Sequence, residues 1–260
     1  MDQQRACLSV ERVEVRFGGL LAVSQLTFEV YDGEILSLIG PNGAGKTTAF
    51  NVITGYQAPT GGEARYNGVS LTGLPPNKVA ELGLVRTFQK TSVFPALGVQ
   101  ANVMIGLHLR GSAGVLGILA RRASVRAEEA RLAEEAAGII AFVGLEHRRR
   151  EAASDLPYGE QRLVELAVAL AARPRMLLLD EPAAGMTGAE KERLMALIRR
   201  IREQGMTVFV VEHDMRLVMG VSDTVIVLNH GRVIAEGAPA AIQRHPEVIR
   251  AYLGSAHAQA

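Results

Sequence analysis

Residues 35–48 read ILSLIGPNGAGKTT. The opening ILSLI is a continuous, mostly apolar run, as expected of a strand buried on both faces of a sheet. GPNGAGKTT at 40–48 then fits the phosphate-loop pattern G-x-x-x-x-G-K-[ST], placed after a strand and before a helix, where its mechanism requires it. Gly43 and Gly45 let the backbone turn its N–H groups inward around phosphate oxygens, and the helix start adds positive potential. Lys46 can reach the β- and γ-phosphates, and the Thr47 hydroxyl can bind Mg2+. The spacing predicts a helix from Lys46 to about Ile53.

A partner for that loop lies far downstream. RMLLLDEP at 175–182 is a strand that delivers two carboxylates at its C-terminal edge, where open α/β sheets bind ligands. Asp180 would hold the Mg2+ shell, and Glu181 would polarise the attacking water as general base. His213, just after TVFVVE, ends another strand and could contact the γ-phosphate. Gln89 ends VRTFQ and could touch the metal or the water. Phe17 closes the first strand and could stack on a base.

Between and around these motifs the pattern is that of an α/β chain. LSVERVEVRF (8–17) and LTFEV (26–30), joined through Gly18-Gly19, predict an antiparallel start. Residues 60–90 mix glycine, proline and short strand-like pieces. From about 98 to 155 there is no convincing strand, and EEARLAEEAAGIIAFVGL (128–145) has apolar residues at helical spacing. Helices at 159–172, 188–203 and 214–221 then alternate with strands at 176–180, 207–211 and 224–228, which implies a parallel sheet covered on both faces. The expected division is a core with an antiparallel β-subdomain (1–97 and 156–260) and an inserted α-helical subdomain (98–155).

Composition narrows the function classes. The chain of 260 residues is 48% hydrophobic with a formal net charge of +1, so a core is affordable and no global field points to nucleic acid. The single Cys7 cannot form an internal disulfide, which fits a reducing compartment. The longest apolar run, AGVLGILA at 113–120, is too short to span a bilayer. The chain reads as soluble, although a mean hydropathy of +0.14 allows an apolar docking face.

LPYGEQ (156–161) opens an ordinary amphipathic helix with a proline and a bare glycine. A helix start presents unpaired N–H groups and suits a phosphate. The loop at 40–48 already encloses one nucleotide, so the ligand for LPYGEQ would come from a second subunit packed head to tail.

Phosphate loop, RTFQ, LPYGEQR, LLLDEP and VEHDM occur in that order, and the chain resembles the ATP-binding-cassette subunits of ABC transporters over nearly its whole length. It is similar in particular to the ATPase subunits of bacterial branched-chain amino-acid importers through RTFQ (86–89), Tyr158, EPAAGM (181–186), VEHDMRLVMGVSD (211–223) and VIRAYLG (248–254). The resemblance implies a P-loop nucleotide-binding core with a β-subdomain and a helical lobe. It implies ATP and Mg2+ as cofactors and ATP hydrolysis coupled to transmembrane transport. The nucleotide would be held by Phe17, Asn42, Gly43, Gly45, Lys46, Thr47 and Thr48, and across the dimer by Tyr158, Gly159 and Glu160. Catalysis would rest on Glu181, His213 and Gln89, and the metal on Thr47, Gln89 and Asp180. The implied partners are a second ATPase subunit, identical or related, two integral membrane permease subunits and, indirectly, a periplasmic solute-binding protein. The chain would lie peripherally on the cytoplasmic face of the cell membrane, with permease contacts expected at roughly 90–105. Pro157 and Thr187 depart from the family pattern, where serine and aspartate are usual. Urea, other amino acids and aromatic acids stand as alternative solutes. An ATPase acting on nucleic acid or ribosomes would need a second cassette or basic extensions. A phosphotransferase would leave LPYGEQ unexplained, and a scaffold that binds ATP without turnover would not need Glu181.

Overall fold

The computed structural model describes residues 6–87, 93–108 and 122–257. Gln89 and the apolar run at 113–120 lie outside the described residues. By contacts the chain forms two compact units, one of Met1–Arg86, Arg175–Ala184 and Gly188–Ala260, the other of Thr87–Pro174 and Gly185–Thr187.

The first unit carries two sheets. β1 (Ala6–Phe17) and β2 (Leu20–Tyr31) form an antiparallel hairpin, and β4 (Gly61–Tyr66) and β5 (Val69–Ser70) extend it in the order β2-β1-β4-β5. β2 runs further than 26–30 because bulges let its partner shift register repeatedly, from Phe17↔Leu20 to Val13↔Leu26 and Val10↔Phe28. The second sheet has the order β10-β9-β3-β8-β7-β6. Its members are β3 (Ile35–Ile39), β6 (Leu84–Arg86), β7 (Met176–Asp180), β8 (Thr207–Val211), β9 (Thr224–Asn229) and β10 (Arg232–Gly237). All pairs are parallel except β9–β10, a hairpin with His230 (φ 47°) and Gly231 (φ 77°) at its two-residue turn.

Every residue of β3, β7 and β8 is buried, as a strand covered on both faces requires. Successive side chains serve opposite cores. Leu36 and Leu38 join the cluster shared with the antiparallel sheet, whereas Ile39 packs with Val218, Val227 and Ile242 on the other face. In the first cluster Phe209 of β8 stacks between Phe28 of β2 and Phe50 of the helix Lys46–Ile53, with centroids 5.9 Å apart in both pairs. That stack ties the antiparallel sheet to the phosphate-loop helix, and each such ring is worth about 1.5–3 kcal/mol when fully buried. The short helix Pro76–Glu81, not expected from sequence, starts after Pro75 with Pro76 in its first turn.

The second unit is helical. Its elements are Val99–His108, Arg122–Phe142 and Tyr158–Ala171, with 3-10 turns at Glu146–Arg148 and Ala153–Asp155. The helix at 158–171, read from sequence with the core, falls in this unit by contacts.

Two helical glycines in this unit make opposite stability predictions. A Cβ on Gly106 would lie 2.6 Å from the Val168 carbonyl oxygen and 2.9 Å from Ala171 Cβ, so two helices touch there through bare backbone. Gly138 faces open space. Gly106→Ala is expected to destabilise by about 1–3 kcal/mol through overpacking. Gly138→Ala should stabilise by about 0.5–1 kcal/mol. Urea unfolding midpoints check both; equal shifts in one direction would refute the close-approach argument.

Candidate nucleotide site

The register of the second sheet brings the chemistry to one edge. Leu38 of β3 and Asp180 of β7 both pair with Val211 of β8, so the three strands end at the same level. Gly40 follows the first, Glu181 the second and Glu212 the third.

The loop after β3 is braced from behind. Gly231 donates its N–H to the Ala44 carbonyl (2.9 Å) and accepts from Ser24 N–H (2.8 Å). Gly45 caps the helix Lys46–Ile53 with φ 101°, and a Cβ there would meet the Ala22 carbonyl oxygen at 2.6 Å. The first turn of this helix holds no acidic residue of its own. Lys46 is buried, and its ammonium donates to the carbonyls of Gly40 (2.7 Å) and Pro41 (3.0 Å). Burial lowers its pKa below the ordinary lysine value, with Glu181 and Glu212 pulling the other way. Asn42, Gly43 and Thr47 are exposed around it, and Thr48 is half-buried. Phe17, half exposed, ends β1 in the same unit.

Asp180 is 4% exposed. Its Oδ2 accepts from Arg86 at 2.6 Å, and Oδ1 is buried with no hydrogen-bond partner. Arg86, which ends β6, also donates to Asn51 (2.8 Å) and lies over the rings of Phe50 and Tyr56. Burial raises the Asp180 pKa; Arg86 opposes this and Glu181 and Glu212 add to it. Glu181 sits in the left-handed region at φ 45°, its N–H held by the Val211 carbonyl at 2.8 Å. Such a conformation is costly for a residue with a side chain and is tolerated where the surroundings impose it. Glu181 Oε1 lies 3.7 Å from His213 Nδ1.

Sequence reasoning passed over Glu212. It is fully buried, and its carboxylate accepts N–H bonds from Ala183 (2.9 Å), His213 (2.7 Å) and Asp214 (3.0 Å). One side chain thus fixes the segment after Glu181 and the backbone that carries His213. The signal was present as a charged residue directly continuing TVFVV.

The second unit holds LPYGEQ. Pro157 is the cap residue of the helix Tyr158–Ala171, and Gln161 closes the turn by donating to the Leu156 carbonyl at 2.9 Å. Tyr158 is half exposed; its hydroxyl accepts from Arg162 at 2.6 and 3.0 Å, and its ring lies where a Cβ on Gly185 would intrude at 2.8 Å. Gly159 is buried. The Glu160 carboxylate accepts from Arg148 Nε at 2.9 Å.

Among the described residues no group of three His, Cys, Asp or Glu side chains could by itself hold a metal ion. The donors present, the Thr47 hydroxyl and the unpartnered Asp180 Oδ1, suit Mg2+, which keeps waters and substrate phosphates as its other ligands.

A glycine-rich loop with a buried lysine, beside carboxylates at adjacent strand ends, is the arrangement of a nucleotide-hydrolysing α/β protein. Residues 23–184 match the ABC transporter family, and 232–258 match the branched-chain amino acid ATP-binding cassette transporter family. The chain is 44% identical to the high-affinity branched-chain amino acid transport ATP-binding protein LivG of Escherichia coli K12, covering 96% of this chain and 98% of the relative. It is 43% identical to BraF of Pseudomonas aeruginosa, a protein of the same description, covering 97% and 99%. An ATP-binding cassette of an ABC transporter solved in its ADP conformation superposes with a TM-score of 0.84 at 29% identity, covering 96% and 99%. The chain belongs to the ATP-binding cassettes of the ABC transporter family, and it is an ATPase subunit.

Glu212→Gln replaces one acceptor oxygen with an amide that cannot accept. At least one buried N–H then loses its partner, at a cost of about 1–3 kcal/mol. Turnover should fall more than ATP affinity, since the bonds of Glu212 go to the segment after Glu181 and the backbone of His213. Denaturation, nucleotide titration and ATPase assays check this together; unchanged stability would refute the three-bond anchor.

Proposed function

We propose that the chain powers an importer of branched-chain amino acids, pairing with a second cassette beneath two permease subunits on the cytoplasmic face of the cell membrane. A periplasmic binding protein would deliver the solute to those permeases. The near full-length identity to LivG and BraF carries the solute class. The convergence of Lys46, Asp180, Glu181 and His213 at one sheet edge supports the chemistry.

In this reading the loop amides and Lys46 hold the β- and γ-phosphates, and Phe17 stacks on the base. Thr47 and Asp180, with Gln89, would hold Mg2+, which when bound would supply positive charge to the phosphate oxygens. Glu181 accepts a proton from water as its oxygen bonds to the γ-phosphorus and the bond to ADP breaks. His213 lies beside that carboxylate and faces the γ-phosphate. The helix start closes on the nucleotide of the second cassette through the backbone at Tyr158 and Gly159, while the side chain of Glu160, expected with them from the sequence, is engaged by Arg148.

A docking loop for the permease is supported at 93–98. Asn102, 1% exposed, accepts the Phe94 N–H (2.7 Å) and donates to the carbonyls of Phe94, Leu97 and Gly98 (3.1–3.2 Å). The loop so fixed presents Phe94 and Leu97 with 53% and 39% exposure.

Two outcomes test the reading. Glu181→Gln should keep ATP affinity and lose most turnover, trapping an ATP-bound dimer; turnover near the parent level would reassign the base. Phe94→Ala should leave the ATPase rate of the free chain intact and reduce, by about tenfold, its affinity for vesicles carrying the two permeases. Equal vesicle binding would remove the loop at 93–98 from the interface.

A further inference from the structure

We propose that Arg148 is a positioning residue for the LPYGEQ helix start, partly offsetting the Glu160 charge and drawing its carboxylate away from the first-turn amides. The inference rests on the reading that this helix start meets the nucleotide of a second cassette.

Glu160 is the third residue after the cap Pro157. A glutamate there ordinarily turns back to the N–H of the cap residue and adds its charge to the helix start. Proline has no N–H to receive it. The structure shows where the carboxylate goes instead. Oε2 accepts from Arg148 Nε at 2.9 Å, and Oε1 lies 3.8 Å from His147 Nε2. Arg148 is itself aimed, because its Nη1 donates to both oxygens of Glu151, at 2.9 and 3.1 Å. The grip therefore comes from the 3-10 turn Glu146–Arg148, outside the helix it serves.

The consequence is electrostatic. A triphosphate arriving at this turn would meet a carboxylate of like charge competing for the same positive helix end. Arg148 is shared with Glu151, so it offsets the Glu160 charge only in part, and its main effect is to hold the Glu160 carboxylate at the 3-10 turn, leaving the amides to the phosphate. Glu160 and Arg148 are 25% and 32% exposed, so the effect is subject to screening by salt.

The test uses the full chain in a Glu181→Gln background with Mg-ATP, reading dimerisation by sedimentation. Arg148→Ala should weaken the dimer by about tenfold, with the deficit shrinking as salt rises from about 50 to about 500 mM. Glu160→Gln should dimerise at least as well as the parent, and the Arg148→Ala/Glu160→Gln double variant should recover to within about threefold. The melting temperature should barely move, as for a partly exposed pair. A double variant as weak as Arg148→Ala would overturn the proposal, since Arg148 would then act through Glu151 and the local turn. Arg148→Ala closing like the parent would overturn it too. Gly159→Asp separates the levels. If it stays monomeric while Arg148→Ala closes normally, only the role of Arg148 fails. If it also dimerises, or if the parent does not associate with ATP, the second-cassette reading fails with it.

Discussion

Charge at the rim of an apolar sheet is the constraint around which the first unit is organised. β3, β7 and β8 are wholly buried, and each delivers the chain straight into polar chemistry. A charge there loses its water and must be compensated within hydrogen-bond distance. Each of the three charges found deepest is held differently. Asp180 leans on a guanidinium, Glu212 on three backbone N–H groups, and Lys46 on two loop carbonyls. For Asp180 the partner comes from the neighbouring strand β6, and for Glu212 one of the three N–H groups comes from the segment after β7, so sheet order and site electrostatics are linked. Were β6 not beside β7, Arg86 could not reach Asp180.

The same arrangement divides labour between rigid and adjustable parts. Glu212 secures backbone, whereas Glu181 and His213 keep partly exposed side chains in front of it. Asp180 offers one oxygen to Arg86 and keeps the other without a protein partner. In the second unit the polar residues around LPYGEQ likewise engage one another, Tyr158 with Arg162 and Glu160 with Arg148, and leave the buried Gly159 backbone at the turn. A site that must hold phosphates without holding itself shut is well served by this pattern.

The elements that could be read from sequence were those with one dominant signal. β3, β7, β8 and the helices Lys46–Ile53 and Gly188–Glu203 run where apolar runs and glycine punctuation placed them. β2 extends well beyond 26–30, because LLAVSQ belongs to it through bulges that blur strict alternation. The antiparallel β10 follows the turn at His230-Gly231, which reverses the chain within two residues. The helix Tyr158–Ala171 has an amphipathic stripe that would serve either unit, and only contacts assign it. Motifs named Lys46, Asp180, Glu181 and His213, since phosphate chemistry leaves a local signature. Arg86 and Glu212 reach Asp180 and Ala183, far away in sequence, and Asn102 holds a loop four to eight residues back by contacts that no motif encodes.

The bond between Gly231 and Ala44 has a thermodynamic corollary. It ties the phosphate loop to the β9–β10 turn, so the loop is ordered by folding and has little freedom left to lose when a nucleotide arrives. Binding to one cassette should therefore resemble filling a mould, with a small heat-capacity change because little apolar surface is covered. If two cassettes join as proposed, that step would cover more apolar surface and carry most of that signature. Calorimetric curvature would then belong to assembly, and the two stages of the ATP cycle would respond differently to temperature.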